Sequence, residues 1–371
     1  MHNHRIAAGS LTVWLRRGLF LIALALAACG GGGSGSGSSS TTSSSSGSSS
    51  GASPQNSPAQ PAVSNAVTVS VAQGVEGTPN IPTVSVTLCA PGTSNCQTID
   101  NIQVDTESFG LRLLSSQLSS SVAGALPTST VSGGTLAECA NFADGFMWGT
   151  IRTADVKIAG ETASSVPIQV VGDLSASTIP AACQGLGTSE DTQADVGANG
   201  ILGIGVALAD CDATCVADAA GYYACPNGTN CVGTVVTTPQ EVANPVAHFT
   251  TDNNGVSLQL PQVGSNGAAS ATGTLLFGIG TESNNALTAT QKLATNGGGD
   301  VTGTFNGSQL TTFLDSGSNG LFFNDSAITQ CTGASAGFFC PASPVSLSAT
   351  LTGTDGSTAS ASFGIANAES L

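Results

Sequence analysis

Two copies of one short pattern constrain the fold of this chain most strongly. The copies are "VDTESFGL" (104–111) and "LDSGSNGL" (314–321), and each reads apolar-Asp-[Thr/Ser]-x-Ser-x-Gly-Leu. An unpaired carboxylate in an apolar setting is costly, so an Asp kept between apolar runs needs a structural or chemical reason. The similarity ends after about ten residues, which indicates two related lobes and not a tandem array.

Apolar and polar residues alternate with period two along most of the remaining chain. Val67, Val69 and Val71 alternate with Thr68 and Ser70. The same alternation recurs in segments 84–88, 156–158, 168–170, 256–260 and 275–277. Turn-forming stretches such as "GTPN" and "TDNNG" separate these segments, so the sequence predicts an all-β fold of sandwich or barrel type. Helical periodicity is confined to 115–122 and 239–249.

The N-terminal region has the features of an export signal followed by a tether. Residues 1–28 combine early arginines with "GLFLIALALAA", an apolar run too short to span a bilayer. The run ends in "LAAC", so Cys29 is expected to carry a lipid; ordinary cleavage after Ala28 is the alternative. Residues 29–65 are rich in Gly and Ser, cannot bury enough apolar area to fold, and predict a disordered tether. No Asp follows Cys29, which favours the outer membrane, with the body facing the periplasm or the cell surface.

The folded body is predicted to form two β lobes, residues 66–280 and a smaller lobe of residues 281–371. Three of the seven basic residues lie in the signal, so four remain against 23 acidic residues. This balance argues against nucleic acid or an anionic lipid surface as a partner of the body. The body is expected to be attached to the membrane only through the lipid on Cys29.

The cysteine usage fits an exported protein. Ten cysteines follow Cys29, namely Cys89, Cys96, Cys139, Cys183, Cys211, Cys215, Cys225, Cys231, Cys331 and Cys340. Their even number and short spacings predict disulfides in an oxidising compartment, with the connectivity left open. Zinc binding by residues 211–231 is the alternative, although the spacing is not that of a standard knuckle and no His lies nearby.

With these motifs in hand, the chain resembles the pepsin-like aspartic peptidases. The two Asp motifs are similar to the two D-[TS]-G-[ST] turns of that family. Three further stretches follow in the family's order: "FADGFMWGTIRTADVKIAG" (142–160), similar to the flap hairpin and its strand, "NGILGIG" (199–205), and "GTLLFGIGTES" (273–283). The set, with its lipobox and Ser-rich tether, also resembles a family of bacterial envelope lipoproteins of unknown function. The resemblance implies a bilobal acid-protease barrel fold.

The resemblance also implies roles for individual residues. Asp105 and Asp315 would form the catalytic pair, which holds one proton between two carboxyls. Thr106 and Ser316 would tie the two turns to each other across the interface between the lobes. Ser108 and Ser318 would supply hydroxyls to the outer oxygens of the two carboxyls. Phe142 would take the place of the flap aromatic, with Trp148 nearby, and Ile201, Leu202 and Gly203 would lie behind the first turn.

Simpler roles stay open for several of these residues. The two Asp residues could cap turns, the two serines could face solvent, and Phe142 and Trp148 could be ordinary core aromatics. Asp144 with Gly145 reads as a hairpin turn. The acidic loop 189–195 lacks the EF-hand pattern for Ca²⁺.

Departures from the family pattern decide between two functions. Glu107 replaces the glycine after Asp-Thr. The backbone N–H at this position is therefore expected to lose its unobstructed approach to the Asp105 carboxylate, and the turn is expected to gain a second negative charge. The chain has 56 residues after Asp315 and no apolar-apolar-Gly strand among them, so the second lobe is expected to be incomplete. The sequence therefore favours a non-catalytic envelope lipoprotein that holds a peptide or unfolded protein between its lobes. An active aspartic endopeptidase is the alternative.

Other chemistries find little support in the sequence. His248 is the only histidine beyond the signal, which leaves a Ser-His-Asp hydrolase little to work with. "GIGTES" lacks the Lys of a phosphate-binding loop. No cofactor and no metal are expected.

Overall fold

The computed structural model describes residues 65–211, 213–264 and 266–371. The predicted signal, Cys29 and almost all of the predicted tether lie outside the described residues. The described residues form one compact unit. Among the residues that are described, no helix is long and apolar enough to cross a membrane.

The strands between Ala66 and Phe277 form one large sheet. Its fourteen strands are β1 (Ala66–Ala72), β2 (Ile81–Cys89), β3 (Cys96–Asp105), β4 (Phe109–Leu114), β5 (Thr130–Val131), β6 (Gly134–Asn141), β7 (Gly145–Ile158), β8 (Glu161–Val171), β9 (Thr188–Ser189), β10 (Gly200–Ile204), β11 (Tyr222–Cys225), β12 (Val232–Gly233), β13 (Val256–Gln259) and β14 (Ala271–Phe277). The all-β prediction is confirmed, and the predicted alternating segments lie on or next to these strands.

Six of these strands close into a barrel. Strands β8, β4, β10, β3 and β2 lie side by side, and β7 pairs with both β8 and β2. Closure pairs the backbone groups that an open sheet edge would leave free. The interior is filled by side chains of the predicted alternation, among them Val86, Leu88, Val156 and Ile168. The barrel is therefore a rigid frame for the turns at its ends.

The second part of the chain carries a smaller sheet. Its strands, in the spatial order β16-β15-β17-β18, are β15 (Val301–Phe305), β16 (Ser308–Thr312), β17 (Val345–Thr352) and β18 (Thr358–Ile365). Phe305, Phe323 and Phe363 form a small aromatic core with ring centroids 5.3–6.4 Å apart. Apolar side chains such as Leu347 are only half-buried, so this sheet contributes less burial than the barrel.

The helices are short, and one prediction of a helix is wrong. They are α1 (Ser120–Ala125), α2 (Ala181–Gln184), α3 (Gln193–Val196) and α4 (Ala213–Ala217). The predicted segment 115–122 overlaps α1, but 239–249 contains only the end of one 3-10 turn, Thr238–Gln240, and a second 3-10 turn, Pro245–His248. Pro245 has no backbone N–H and biases the residue before it away from the helical region. Asn244 instead accepts a hydrogen bond from the Val246 N–H at 3.1 Å.

All ten predicted cysteines form disulfides. The pairs are Cys89–Cys96, Cys139–Cys183, Cys211–Cys215, Cys225–Cys231 and Cys331–Cys340. Four pairs close loops of ten residues or fewer, whereas Cys139–Cys183 joins β6 to α2 across 44 residues. The zinc alternative at 211–231 is excluded, because its four sulfurs are bonded to one another in pairs.

Candidate active site

The first Asp turn is held by three barrel strands. Strand β3 ends at Asp105, β4 begins at Phe109, and β10 lies between them, with Gly203 opposite Asp105 on one side and Gly110 on the other. A Cβ at Gly203 would lie 2.5 Å from the Phe109 nitrogen, so only glycine fits. The structure thus places the predicted segment 201–203 directly behind this turn.

The second Asp turn has no such support of its own. Asp315 lies in a loop after β16, and no strand of the described residues passes behind it as β10 passes behind Asp105. Leu314, Leu321 and Phe322 beside it are 69%, 62% and 74% exposed. The position of Asp315 therefore depends on contacts with the first turn.

Hydrogen bonds between the two turns supply those contacts. Thr106 Oγ1 donates to the Leu314 carbonyl at 2.8 Å and accepts from the Ser316 N–H at 3.0 Å. Ser316 Oγ donates to the Val104 carbonyl at 2.7 Å. The structure thus brings the predicted pair Thr106 and Ser316 together. Each such bond contributes about 1 kcal/mol to holding the turns in register.

The two predicted catalytic carboxyls meet at Gly317. The Gly317 N–H donates to Asp315 Oδ1 at 2.6 Å. A Cβ placed on Gly317 would lie 2.8 Å from Asp105 Cγ and 3.0 Å from Oδ1 of both Asp105 and Asp315. The Oδ1 atoms of Asp105 and Asp315 are therefore separated by at most twice 3.0 Å. A side chain at this position would occupy the space beside both carboxyls.

Asp105 is buried beside Asp315. Its side chain is 7% exposed. Burial, followed by the charge of Asp315, raises the pKa of Asp105 to about 6. The Glu107 N–H and the nearby Ser108 hydroxyl act in the opposite direction. A carboxyl that keeps its proton beside a second carboxyl has the arrangement required for general acid–base chemistry.

Glu107 changes the site less than the sequence indicates. The expectation that the turn loses its backbone approach is wrong, because the Glu107 N–H still donates to Asp105 Oδ1 at 2.9 Å. A backbone N–H needs no glycine here, since the side chain turns away toward the other lobe. There it lies against Gly299, where a Cβ would be 2.7 Å from Glu107 Oε2. Burial and the charges of Asp300, Asp315 and Asp105 raise the pKa of Glu107 to about 7.

The two predicted outer hydroxyls differ from each other. Ser318 Oγ donates to Asp315 Oδ2 at 2.6 Å. Ser108 Oγ is buried close to Asp105 but makes no hydrogen bond of standard geometry. The difference follows from the two backbones, because Ser108 leads directly into β4 whereas Ser318 belongs to a free loop.

The two predicted flap aromatics occupy different environments. The hairpin of β6 and β7, which we call the flap, has Phe142 near its tip, half-buried against the core below. Trp148 is 2% exposed and lies in the interior among side chains of another cluster. Its indole N–H donates to Thr178 Oγ1 at 3.2 Å and its ring meets Tyr223 edge-on. Trp148 is therefore placed as a core aromatic, and its N–H is not directed at Asp105.

A buried ionic network beneath the flap was missed by the sequence reasoning. Arg112 Nη2 lies 2.7 Å from Glu138 Oε1 and 2.9 Å from Asp210 Oδ2, and Tyr222 donates to Asp210 at 2.8 Å. Burial, followed by the charge of Glu138, raises the pKa of Asp210 well above its ordinary value. The Arg112 guanidinium also lies 5.8 Å from the centre of the Phe142 ring. A lone arginine in the apolar strand "FGLRLL" was the available signal.

A second pair of carboxyls lies at the flap tip. Glu190 is 9% exposed, and its backbone N–H donates to the Phe146 carbonyl at 2.9 Å. Burial, the charge of Asp144, a hydrogen bond with Asp144 and the charge of Asp195 raise the pKa of Glu190 to about 8. Asp144 does belong to the hairpin turn, as one sequence interpretation had it. Within the described residues, no group of three or more His, Cys, Asp or Glu side chains is placed to hold a metal ion.

A family model covers all of the described residues. The model, described as "Protein of unknown function (DUF3443)", matches residues 61–371. The chain belongs to the DUF3443 family. No curated protein matches the sequence.

Solved structures similar to this DUF3443 chain include the aspartic proteinase from Irpex lacteus. The TM-score is 0.40 at 16% identity, and the alignment covers 68% of this chain. The chain spans 63% of the length of that proteinase.

Proposed function

We propose that this DUF3443 protein is an aspartic-type peptidase with Asp105 and Asp315 as its catalytic pair. One observation carries the proposal. Two carboxyls from turns 210 residues apart lie beside the same glycine, Gly317, and burial together with the charge of Asp315 raises the pKa of Asp105 to about 6. A turn cap needs neither a second carboxyl nor burial, so this pairing favours chemistry over capping.

The proposed chemistry uses the proton held on the pair. The ionised carboxylate takes a proton from a water molecule while the water oxygen bonds to the carbonyl carbon of the peptide. The neutral carboxyl gives its proton to the carbonyl oxygen, which produces a neutral tetrahedral diol. The carboxyl that gained the water proton then protonates the leaving nitrogen. The C–N bond breaks, one diol hydroxyl returns its proton to the other carboxyl, and the pair regains its starting state.

Individual residues would support this cycle. Asp105 would hold the shared proton, since burial disfavours its ionised form. Asp315 accepts the Gly317 N–H and the Ser318 hydroxyl, both of which an ionised carboxylate accepts. The flap tip, with Phe142, would cover an extended peptide and limit access of solvent water.

Cleavage of unstructured peptides between pH 3 and 8 tests the proposal. We expect the purified full-length protein to cleave, and Asp315→Asn to lose at least ~100-fold in rate, the scale of general acid–base contributions. Asp100→Asn is a matched control, because Asp100 is an exposed carboxyl on β3 that accepts a bond from Ser85 at 2.6 Å. An intact substrate at every pH, or cleavage that survives Asp315→Asn, contradicts the proposal.

Binding of an extended peptide without hydrolysis is the second candidate function. Glu107 favours it, because it adds a third acidic group near Asp105 and Asp315, whose charges raise its pKa. A peptide would then be held by backbone hydrogen bonds, as in strand addition. Capture of an intact peptide that persists in both Asp105→Asn and Asp315→Asn supports this function; absence of any peptide affinity removes it.

The location of the protein is a proposal from the sequence alone. Export, lipidation of Cys29 and a place on the outer membrane, facing the periplasm or the cell surface, rest on residues outside the described range. A Cys29→Ala variant should appear in the soluble fraction, whereas wild type should sediment with membranes and incorporate a labelled fatty acid. Equal sedimentation of both forms would contradict the anchor.

A further inference from the structure

One polar side chain of the barrel crosses to the second turn beside the carboxyl pair. Gln103 lies on β3, two residues before Asp105, so both side chains project from the same face of the strand. Gln103 is 7% exposed, and its Nε2 donates to the Gly317 carbonyl at 2.7 Å. The bond thus joins the strand that carries one carboxyl to the loop that carries the other.

The partner of Gln103 determines where both carboxyls lie. Gly317 donates its own N–H to Asp315 Oδ1, and a Cβ placed on it would lie 2.8 Å from Asp105 Cγ. Glycine has no Cβ to restrict its backbone torsions, and the loop around Asp315 has no supporting strand among the described residues. A fixed carbonyl therefore limits how the Gly317 peptide planes can rotate.

The chemical type of Gln103 also suits this position. The amide donates a hydrogen bond to a carbonyl without adding a charge. The titratable groups around the pair are already Asp105, Asp315, Glu107 and Asp300, all acidic. A lysine or arginine here would neutralise the pair, and a carboxylate could not donate to the carbonyl.

We propose that Gln103 is a positioning residue that sets the separation of the Asp105 and Asp315 carboxyls by fixing the Gly317 carbonyl. The proposal rests on the proposed catalytic pair. Without this bond, the second turn moves away from Asp105 and the interaction between the two carboxyls weakens. Asp105 then loses its proton at a lower pH, and the turnover of peptide falls with little change in KM, because the substrate-binding surface is intact.

The test compares Gln103→Met with Gln97→Met in the full-length protein. Gln97 lies on the same strand and also donates from Nε2 to a carbonyl at 2.7 Å, but its partner is Gln117 in the first lobe. Carboxyl ¹³C NMR of labelled Asp follows the titration of Asp105, assigned with Asp105→Asn. We expect a wild-type midpoint near 6 and a midpoint at least about half a pH unit lower in Gln103→Met. Gln97→Met should titrate as wild type does.

Activity provides the second measurement. We expect kcat to fall about tenfold in Gln103→Met with KM within about twofold, as misplaced catalytic groups produce. Should Gln103→Met fail to fold, Gln103→Asn replaces it, since the shorter amide keeps the polarity but cannot span the distance. The same lower midpoint is expected.

The outcomes separate this inference from the proposed peptidase. An unchanged midpoint in both Gln103 variants, with a wild-type midpoint near 6, overturns the positioning role and leaves the pair intact. A lowered midpoint in a protein that cleaves no peptide supports the positioning role while the peptidase proposal fails. A wild-type midpoint near 4 overturns the positioning role, because no interacting pair then exists to be positioned.

Discussion

Replacing Asp105 by Asn should weaken the dependence of stability on pH. Burial is the main reason that the pKa of Asp105 is about 6 and not 3.8. Between these two values the folded protein binds a proton more tightly than the unfolded chain does. The contribution to stability is therefore complete below pH 3.8 and is lost as the pH rises through 6.

The magnitude follows from the size of the pKa change. A rise of about two pH units corresponds to on the order of 3 kcal/mol at 1.36 kcal/mol per unit. Wild type should lose about this much between pH 4 and 7 through Asp105, and Asp105→Asn should not. The Asn oxygen can still accept the Glu107 N–H, so the substitution removes the charge and keeps the turn. Removal of the Asp105 charge also lowers the pKa of Glu107, which flattens the dependence further.

Denaturant unfolding at pH 4, 5, 6 and 7, with the disulfides intact, provides the measurement. The control is Asp355→Asn, since hydrogen bonds from Ser357 lower the pKa of Asp355 and its contribution has the opposite sign. That variant should lose stability with rising pH at least as steeply as wild type. If Asp105→Asn loses as much stability as wild type over this range, the burial argument for Asp105 is refuted.

Three further changes test the site and its frame. Gly317→Ala should reduce cleavage at least ~100-fold and lower the pKa of Asp105, because the new Cβ would lie 2.8 Å from Asp105 Cγ; normal kinetics would contradict this. Glu190→Gln should keep flap amides protected from hydrogen exchange above pH 8, where wild type loses protection as Glu190 ionises; an equal loss of protection in both proteins would contradict the interaction of Glu190 with Asp144. Replacing Cys139 and Cys183 by Ser should cost about 4 kcal/mol of unfolding free energy, against about 2 for the shortest bridges, by the loop-entropy relation; equal costs would contradict it.

Most of the fold class was predictable because its signals are local. Alternation in segments such as 67–71 and 84–88 identifies half-buried strands without knowledge of their partners. Cysteines a few residues apart, such as Cys331 and Cys340, can pair whatever the rest of the chain does. The failed helix at 239–249 has a local cause as well, since the restriction imposed by Pro245 outweighed the apolar spacing.

The site was only partly predictable. The Asp motifs identified Asp105, Asp315, Thr106 and Ser316, and the structure brings all four together. The direction of the Glu107 side chain could not be read from the motif, because it depends on where Gly299 of the other lobe lies.

The sequence by itself determined which segments form strands, which form turns, and which two turns carry acids. Only the tertiary structure decided that the second turn is held by hydrogen bonds from Thr106 of the first turn and Gln103 of β3, and that Trp148 faces the interior. The physical reason is the distance along the chain over which each kind of interaction acts. Strand periodicity and turn chemistry act over a few residues, whereas contacts between residues 210 positions apart form only after a closed barrel has fixed where each turn emerges.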